Sequence, residues 1–282
     1  MNSSTLPKIS IVTCSYQQAD FIDATIRSVL EQDYAGLEYI VMDGGSTDGT
    51  VEILQRHNDQ IDYWVSQPDD GQTDALNKGF MHSSGGIMGW LCSDDLLLPG
   101  ALQTVANFFE THPDVEAVYG DALWIDRSGK LIRQKREIPF SRFLLRFDHN
   151  YVPQPSMFWR RSLFNRVGGL DPRFNLAMDA DLWDRFSKAT RIAHIPVLLS
   201  CMRYYPEQKT RALHSAGRTE HTEIQSRSKW ARIAPLRPLL QWLARGSRLL
   251  AKLATGRYVL SVPGGIIGAL ERFRIPDQAP GS

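Results

Sequence analysis

Short β-branched runs alternate with helical stretches along the first part of this chain, and polar residues gather where the runs end. Lys8–Ser15, Glu38–Met42, Tyr63–Ser66, Ile87–Cys92 and Val115–Tyr119 read as strands. Between them, Ala19–Gln32, Ser46–Arg56, Thr73–His82 and Leu102–Thr111 read as helices, with Ser46 or Thr47 near the cap of the second. Strand–helix alternation with short connections predicts parallel strands joined by right-handed crossovers, hence an α/β sheet flanked by helices. Such sheets bind ligands at the carboxyl ends of their strands. Thr13 to Tyr16, Asp43, Asp69-Asp70, Asp94-Asp95 and Asp121 are all expected there.

The sharpest of these sites is Gly89-Trp-Leu-Cys-Ser-Asp-Asp-Leu-Leu-Leu-Pro99. An apolar strand stops at adjacent like charges, Asp94 and Asp95, which is costly unless a cation or hydrogen bonds offset them. Either the pair holds a divalent metal that in turn holds a phosphate, or it caps the helix that follows. Asp43-Gly-Gly-Ser-Thr-Asp-Gly-Thr50 also leaves a strand and opens a helix. Its glycines let the backbone approach a ligand, and the spacing is not the G-x-G-x-x-G of dinucleotide sites. Asp179, Asp181 and Asp184 open an aromatic-rich helix, where one carboxylate can act as a general base or all can simply meet the helix dipole. His82, His194 and His214 show no metal spacing.

The chain has 282 residues, 43% of them apolar, enough for one large α/β domain with a tail. A net charge of +1 makes it no obvious nucleic-acid binder. Cys14, Cys92 and Cys201 are too scattered for a disulfide framework or zinc site, so reduced thiols in the cytoplasm are expected. MNSSTLPK does not read as a secretory signal, and no run reaches the roughly 18 apolar residues of a membrane span.

The last part of the chain differs. Between Arg227 and Arg274 basic residues recur, Lys229 and Arg232 among them, and Glu271 is the only acid. Leu236, Leu239, Leu240, Leu243, Leu250 and Leu253 fall on one helical face, and Arg237, Gln241, Arg245, Arg248 and Lys252 on the other. The pattern suits either an anionic membrane surface or a helix packed on the protein or in a dimer. Tyr258–Leu270 is apolar but short and interrupted by Pro263-Gly-Gly.

Taken in order, ISIVTCSYQQADFIDATIRSVLEQDY, EYIVMDGGSTDGT, DDGQTDALNKGF, GWLCSDD and GGLDPRFNLAMDADLW resemble the family 2 glycosyltransferases of the GT-A fold. The likeness covers about residues 8–210. It implies a GT-A type, Rossmann-like, mostly parallel sheet, with a catalytic domain over residues 1–212 and a basic helical tail over 213–282. Within the domain it implies a donor half to about residue 121 and an acceptor half from 122.

The resemblance further implies inverting transfer of a sugar from a nucleoside diphosphate, uridine for preference, to a glycan or lipid-linked hydroxyl in surface polysaccharide assembly. Thr13, Tyr16 and Asp43 would contact the nucleoside, and Asp70, Lys78 and Asp94 would line the donor site. Asp95 would bind the metal, Mn2+ or Mg2+, and Asp179 would be the base. Cys14 and Gln17 stand where Pro and Asn are frequent, Met178 where Glu is usual, and Tyr205 where His often precedes Pro206.

Two other classes compete. A nucleotidyltransferase would share a nucleotide and a metal but calls for a basic, Gly-rich phosphate loop, whereas TCSYQQADF has no Lys or Arg. A non-catalytic nucleotide-sugar-binding protein would be expected to have lost the Asp pair or Asp179, and both remain.

Overall fold

The computed structural model describes residues 6–209, 213–227, 236–258 and 261–275. Four parallel strands form the first half of the sheet: β1 (Ile9–Ser15), β2 (Leu37–Asp43), β3 (Tyr63–Ser66) and β4 (Ile87–Cys92), in the order β3-β2-β1-β4. Their connections are the helices α1 (Ile22–Leu30), α2 (Thr50–Arg56) and α3 (Gln72–His82). Side chains alternate across this sheet. Ile9, Ile11, Tyr39, Val41, Ile87 and Leu91 pack on one face, and Val12, Cys14, Ile40, Met42, Met88 and Trp90 on the other. Both faces are covered, which is why these strands read as continuous apolar runs. Gly79 of α3 lies so close to β1 that a Cβ there would sit 2.4 Å from Val12 Cγ1, so the helix docks only with glycine at that point.

Asp94 and Asp95 do not cap a helix. A short strand, β5 (Leu96–Leu97), follows them, and α4 (Ala101–Thr111) starts only after a turn at Gly100. β6 (Ala117–Ile125) and β7 (Leu131–Lys135) come next. The helix α5 (Arg142–Phe147), the strand β8 (Met157–Arg160) and the helices α6 (Arg161–Val167) and α7 (Met178–Ala189) follow. The long β9 (Ile192–Arg203) completes the sheet. β8 runs antiparallel between β4 and β6, β9 pairs parallel with β6, and β5 runs antiparallel to β9. The α/β sheet flanked by helices is the expected GT-A type architecture. Asp121 corrects the expectation for strand ends: it lies within β6, fully buried, bound to His194 at 2.9 Å and Arg257 at 3.2 Å. That histidine and aspartate serve the fold.

The connection after β1 reaches a left-handed conformation at Gln17, with φ of +54°. Asn tolerates this region better than Gln, which gives the departure at this position a small cost. Bonds from Gln17 N to Ser46 Oγ at 2.7 Å, and from Thr47 N to the Gln17 side chain at 3.2 Å, hold it there. Ser46 is thus engaged by Gln17 and Asp43, not by a helix end, and α2 starts at Thr50 behind Gly49.

Three helices follow the segment at residues 210–212, which lies outside the described residues together with the proposed division at 212. They are α8 (His214–Ser226), α9 (Arg237–Ala254) and α10 (Gly264–Glu271). Lys229 and Arg232 also lie outside the described residues. α9 packs on α5, and its orientation is the reverse of the usual one. Arg248 meets Asp148 at 2.5 Å and Lys252 meets Glu137 at 2.9 Å, while Ala244 is fully buried and Leu240 and Ala251 touch the core. Much of the basic face thus turns inward, and most of the leucines point out. Among the described residues no helix is long and apolar enough to cross a membrane.

Candidate active site

A cavity of about 950 Å³ opens at the carboxyl ends of β1 and β4. It is walled by Tyr16, Gly44, Gly45 and Asp69 on one side and by Asp94, Asp95, Tyr205 and Lys209 on another, with Gln154, Asn175 and Asp179 facing them. Of the expected site residues, it therefore unites Tyr16, Asp94, Asp95 and Asp179.

The other four lie apart from it. Thr13 is fully buried and accepts a hydrogen bond from the Tyr39 hydroxyl at 3.1 Å, because its side chain points into the sheet face under α1 and α2. Asp43 is buried and shapes the wall from behind. Its carboxylate accepts from Ser46 N at 2.8 Å, Ser46 Oγ at 2.6 Å and Ser66 Oγ at 2.6 Å. Those bonds fold the Gly44-Gly45 turn, where Gly45 has φ of +81° and a Cβ on Gly44 would meet Asp69 at 3.0 Å. Asp70 does not line the cavity; its neighbour Asp69 does, fixed by Gly71 N at 2.7 Å. Lys78 is one helical turn beyond Asp74 and is held by it at 2.6 Å, away from the cavity.

Asp94 and Asp95 are both buried, and the donors they find are neutral. Asp94 Oδ2 accepts from the Tyr205 hydroxyl at 3.0 Å and from Gln208 at 3.4 Å, and Asp95 Oδ1 accepts from Arg203 N at 2.8 Å. The Arg203 guanidinium donates to backbone carbonyls of Asp94, Asp126 and Arg127 instead. Burial pushes both carboxyls above the usual range, and the Asp94 charge pushes Asp95 further. Cys92 is the third group, its ligand atom within 4.8 Å of theirs. Hydrogen bonding with Cys14 and burial keep that thiol protonated. Two buried, hard oxygen groups short of positive charge are what a divalent cation needs. Tyr205, in place of a histidine, donates to Asp94 and fixes its rotamer.

Asp179 sits at the start of α7, and the sheet fixes that helix. Trp183, one turn on, stacks on Trp90 of β4 at 5.7 Å and packs beside Trp159 and Phe186. The three aspartates of this helix separate by their partners. Asp181 pairs with Arg185 and Arg227. Asp184 is buried, which opposes its charge, but bonds from Arg146 and Lys188 override that and hold its pKa down to about 2. Among the described residues Asp179 meets no cation. It accepts from Asn150 Nδ2 at 2.6 Å and from Ala180 N at 2.7 Å, and burial pushes its pKa up to about 6.

Two supports of Asp179 were not expected from sequence. Asn150 precedes a proline-rich turn whose polar residues offered a weak signal. Glu220 of α8 offered none: its carboxylate accepts the backbone N–H groups of Asn175, Leu176 and Ala177 at 2.8–3.2 Å. Ala177 is the N-cap of α7 and the other two residues lead into it, so the tail helix ties down the approach to the helix that carries Asp179. Lys209 takes the Asn175 carbonyl at 3.0 Å from the other side.

A mostly buried carboxylate at a helix start thus shares one cavity at a sheet edge with a buried acidic pair. The glycosyl transferase family 2 profile matches residues 10–168. An uncharacterized glycosyltransferase of Mycobacterium tuberculosis is 31% identical over 201 residues, 71% of this chain and 74% of its own. The chondroitin synthase of Escherichia coli is 31% identical over 204 residues, which span 69% of this chain but only 29% of the synthase. Among solved structures, Staphylococcus aureus TarS 1–349 in complex with UDP-GlcNAc superposes with a TM-score of 0.62 at 17% identity, over 77% of this chain and 65% of that one. The Pyrobaculum calidifontis mannosyltransferase PcManGT in complex with GDP-Man and Mn2+ gives 0.59 at 19% identity, over 95% and 80%. The chain belongs to glycosyltransferase family 2. It is a glycosyltransferase enzyme, which leaves the nucleotidyltransferase and non-catalytic alternatives without support.

Proposed function

We propose that the protein moves a sugar with inversion from a nucleoside-diphosphate donor, a UDP-sugar first, to a hydroxyl of a glycan or lipid-linked acceptor in surface polysaccharide assembly. The observation that carries this is Asp179, a carboxylate without a cationic partner among the described residues, in the same cavity as Asp94 and Asp95. A base that titrates near neutrality can hold its proton vacancy at working pH and still take a proton from an attacking hydroxyl. In this mechanism Asp179 accepts the hydroxyl proton as the oxygen attacks the anomeric carbon, and the nucleoside diphosphate departs from the opposite face.

Asp94 and Asp95 are the residues that would hold a divalent cation, Mn2+ or Mg2+. When bound, the cation supplies positive charge to the departing diphosphate. Tyr16, 62% exposed and sharing the cavity wall with Gly44 and Gly45, would stack on the nucleoside base. A thermal-shift panel of nucleotide sugars tests the reading, since a ligand bound only by the native state raises its stability. At a hundredfold excess over Kd the gain is about 2.7 kcal/mol, a rise in Tm of about 5 °C or more. A UDP-sugar should give that shift with Mn2+ present. A panel with no response to any nucleotide sugar refutes the proposal, and a response confined to GDP-sugars refutes the uridine preference.

Glu220 gives a separate prediction. Glu220→Ala removes the carboxylate that holds the backbone N–H groups of Asn175, Leu176 and Ala177 just ahead of Asp179, and small displacements of a catalytic group cost up to about a hundredfold. Turnover should fall about tenfold to a hundredfold while KM for the donor stays near the parent value. Steady-state kinetics with varied donor separates the two, and an unchanged kcat rules Glu220 out as a positioning residue.

A further inference from the structure

Along the outward side of α9 runs an uncovered apolar stripe. Leu239, Trp242, Leu243, Leu249, Leu250 and Leu253 are 43–70% exposed, and their spacing places them on one helical face. Ordinarily an amphipathic helix buries that face and leaves its cations in water. Here the cations hold the helix on the protein: Arg248 binds Asp148, Lys252 binds Glu137, and just beyond the helix Arg257 binds Asp121. The helix is therefore anchored independently of the stripe. An exposed patch of this kind marks an interaction site.

We infer that α9 is an interfacial helix whose outward stripe inserts into the surface layer of a phospholipid bilayer, holding the catalytic fold against the membrane. Charge decides between a bilayer and a second copy of the chain. Arg237–Ala254 contains four cations and no acid. A second copy would set the same acid-free helix against this stripe, so Arg245, 70% exposed and 3.8 Å from an Asp148 that it shares with Arg248, would meet no acid on the facing helix. A bilayer offers phosphate groups at that level and hydrocarbon below it, so Arg245 reaches upward while the leucines insert. Trp242 and Tyr258, 70% and 61% exposed, are the side chains that favour the headgroup boundary. Because Arg248, Lys252 and Arg257 are engaged on the protein, attachment comes mainly from apolar insertion. The anionic attraction suggested by the tail's composition becomes secondary.

Vesicle flotation of the full chain tests this, on phosphatidylcholine alone and with added phosphatidylglycerol. The parent protein should float with both, and the anionic lipid should strengthen binding only about fivefold, the effect of roughly one exposed cation near the surface. The double variant Leu250→Glu, Leu253→Glu should remain at the bottom of the gradient with both lipids. It should keep the parent's circular dichroism and nucleotide-induced thermal shift, because both leucines are exposed and away from the cavity. Equal flotation of parent and variant overturns the proposal, as does a parent that fails to float. Light scattering that shows a parent dimer dispersed by the same substitutions assigns the stripe to a second copy and overturns it too.

Discussion

Asp179→Asn should lower turnover by about 10²–10⁴-fold, the scale of a lost general base, while donor binding persists. The amide keeps the shape of the side chain, but Asn150 Nδ2 and Ala180 N donate to different carboxylate oxygens, at 2.6 and 2.7 Å, so the amide oxygen keeps one of these bonds and the other is lost. The amide also loses the capacity to take a proton. The same substitution should stabilise the fold. A carboxyl displaced from 3.8 to about 6 by burial carries its charge in the native state at a cost of up to about 3 kcal/mol. The neutral amide avoids that cost but gives up one hydrogen bond worth about 1 kcal/mol, so a gain of up to about 2 kcal/mol is expected at neutral pH in denaturant unfolding.

The sign of the pH dependence follows. Between 3.8 and about 6 the folded form binds this proton and the unfolded form does not, so the group's contribution to stability falls as pH rises through that window. Activity runs the other way, because the charged form is the base. In the parent, kcat/KM should fall about tenfold per pH unit below about 6. A variant that transfers sugar at the parental rate, or a parent whose rate is flat from pH 7 to about 5, removes Asp179 from the role.

The first half of the sheet was legible because its strands are covered on both faces and its helices bury one stripe each. Tyr63–Ser66 and Ile87–Cys92 are strands over the residues expected from their apolar runs. The second half hid its strands, since β8 and β9 are defined by antiparallel and long-range partners rather than by their own pattern. Leu96-Leu97 is a strand because Ser200 and Cys201 pair with it, and no local signal distinguishes it from the first turn of a helix. Spacing singled out Asp179, Asp181 and Asp184 equally. Only the placement of Arg142, Arg146, Arg185 and Arg227 separates them, pairing Asp184 and Asp181 with cations and leaving Asp179 without one among the described residues. In the tail, periodicity separates two faces of α9 but does not say which is inside. That is settled by Asp148 and Glu137, roughly a hundred residues earlier, through ion pairs that pattern analysis of the helix alone does not see.

Asp95→Asn should abolish cation-dependent donor binding without loss of stability. Asp95 and Asp94 are adjacent, buried and mutually repulsive, with only neutral hydrogen-bond donors. In a protein folded for its own stability such a pair is a defect, and removing one charge should relieve the other. Asn at this position still accepts from Arg203 N, now at 2.8 Å, so the β9 end of the cavity keeps its form. The unfolding free energy should therefore stay level or rise. Binding should go the opposite way, because a hard cation loses one of its anionic oxygens, and turnover should drop about a hundredfold or more as stabilisation of the leaving diphosphate is lost. Calorimetric titration of UDP and GDP into parent and variant, with and without Mn2+, measures this directly. The expected pattern is a strong Mn2+ effect in the parent, for one nucleotide at least, that vanishes in the variant. Equal nucleotide affinity in the parent with and without the cation would mean that Asp94 and Asp95 are held apart by Tyr205, Gln208 and Arg203 alone. The charge on the departing diphosphate would then have to be met by the protein's own cations, Lys209 and Arg203 being those that line the cavity.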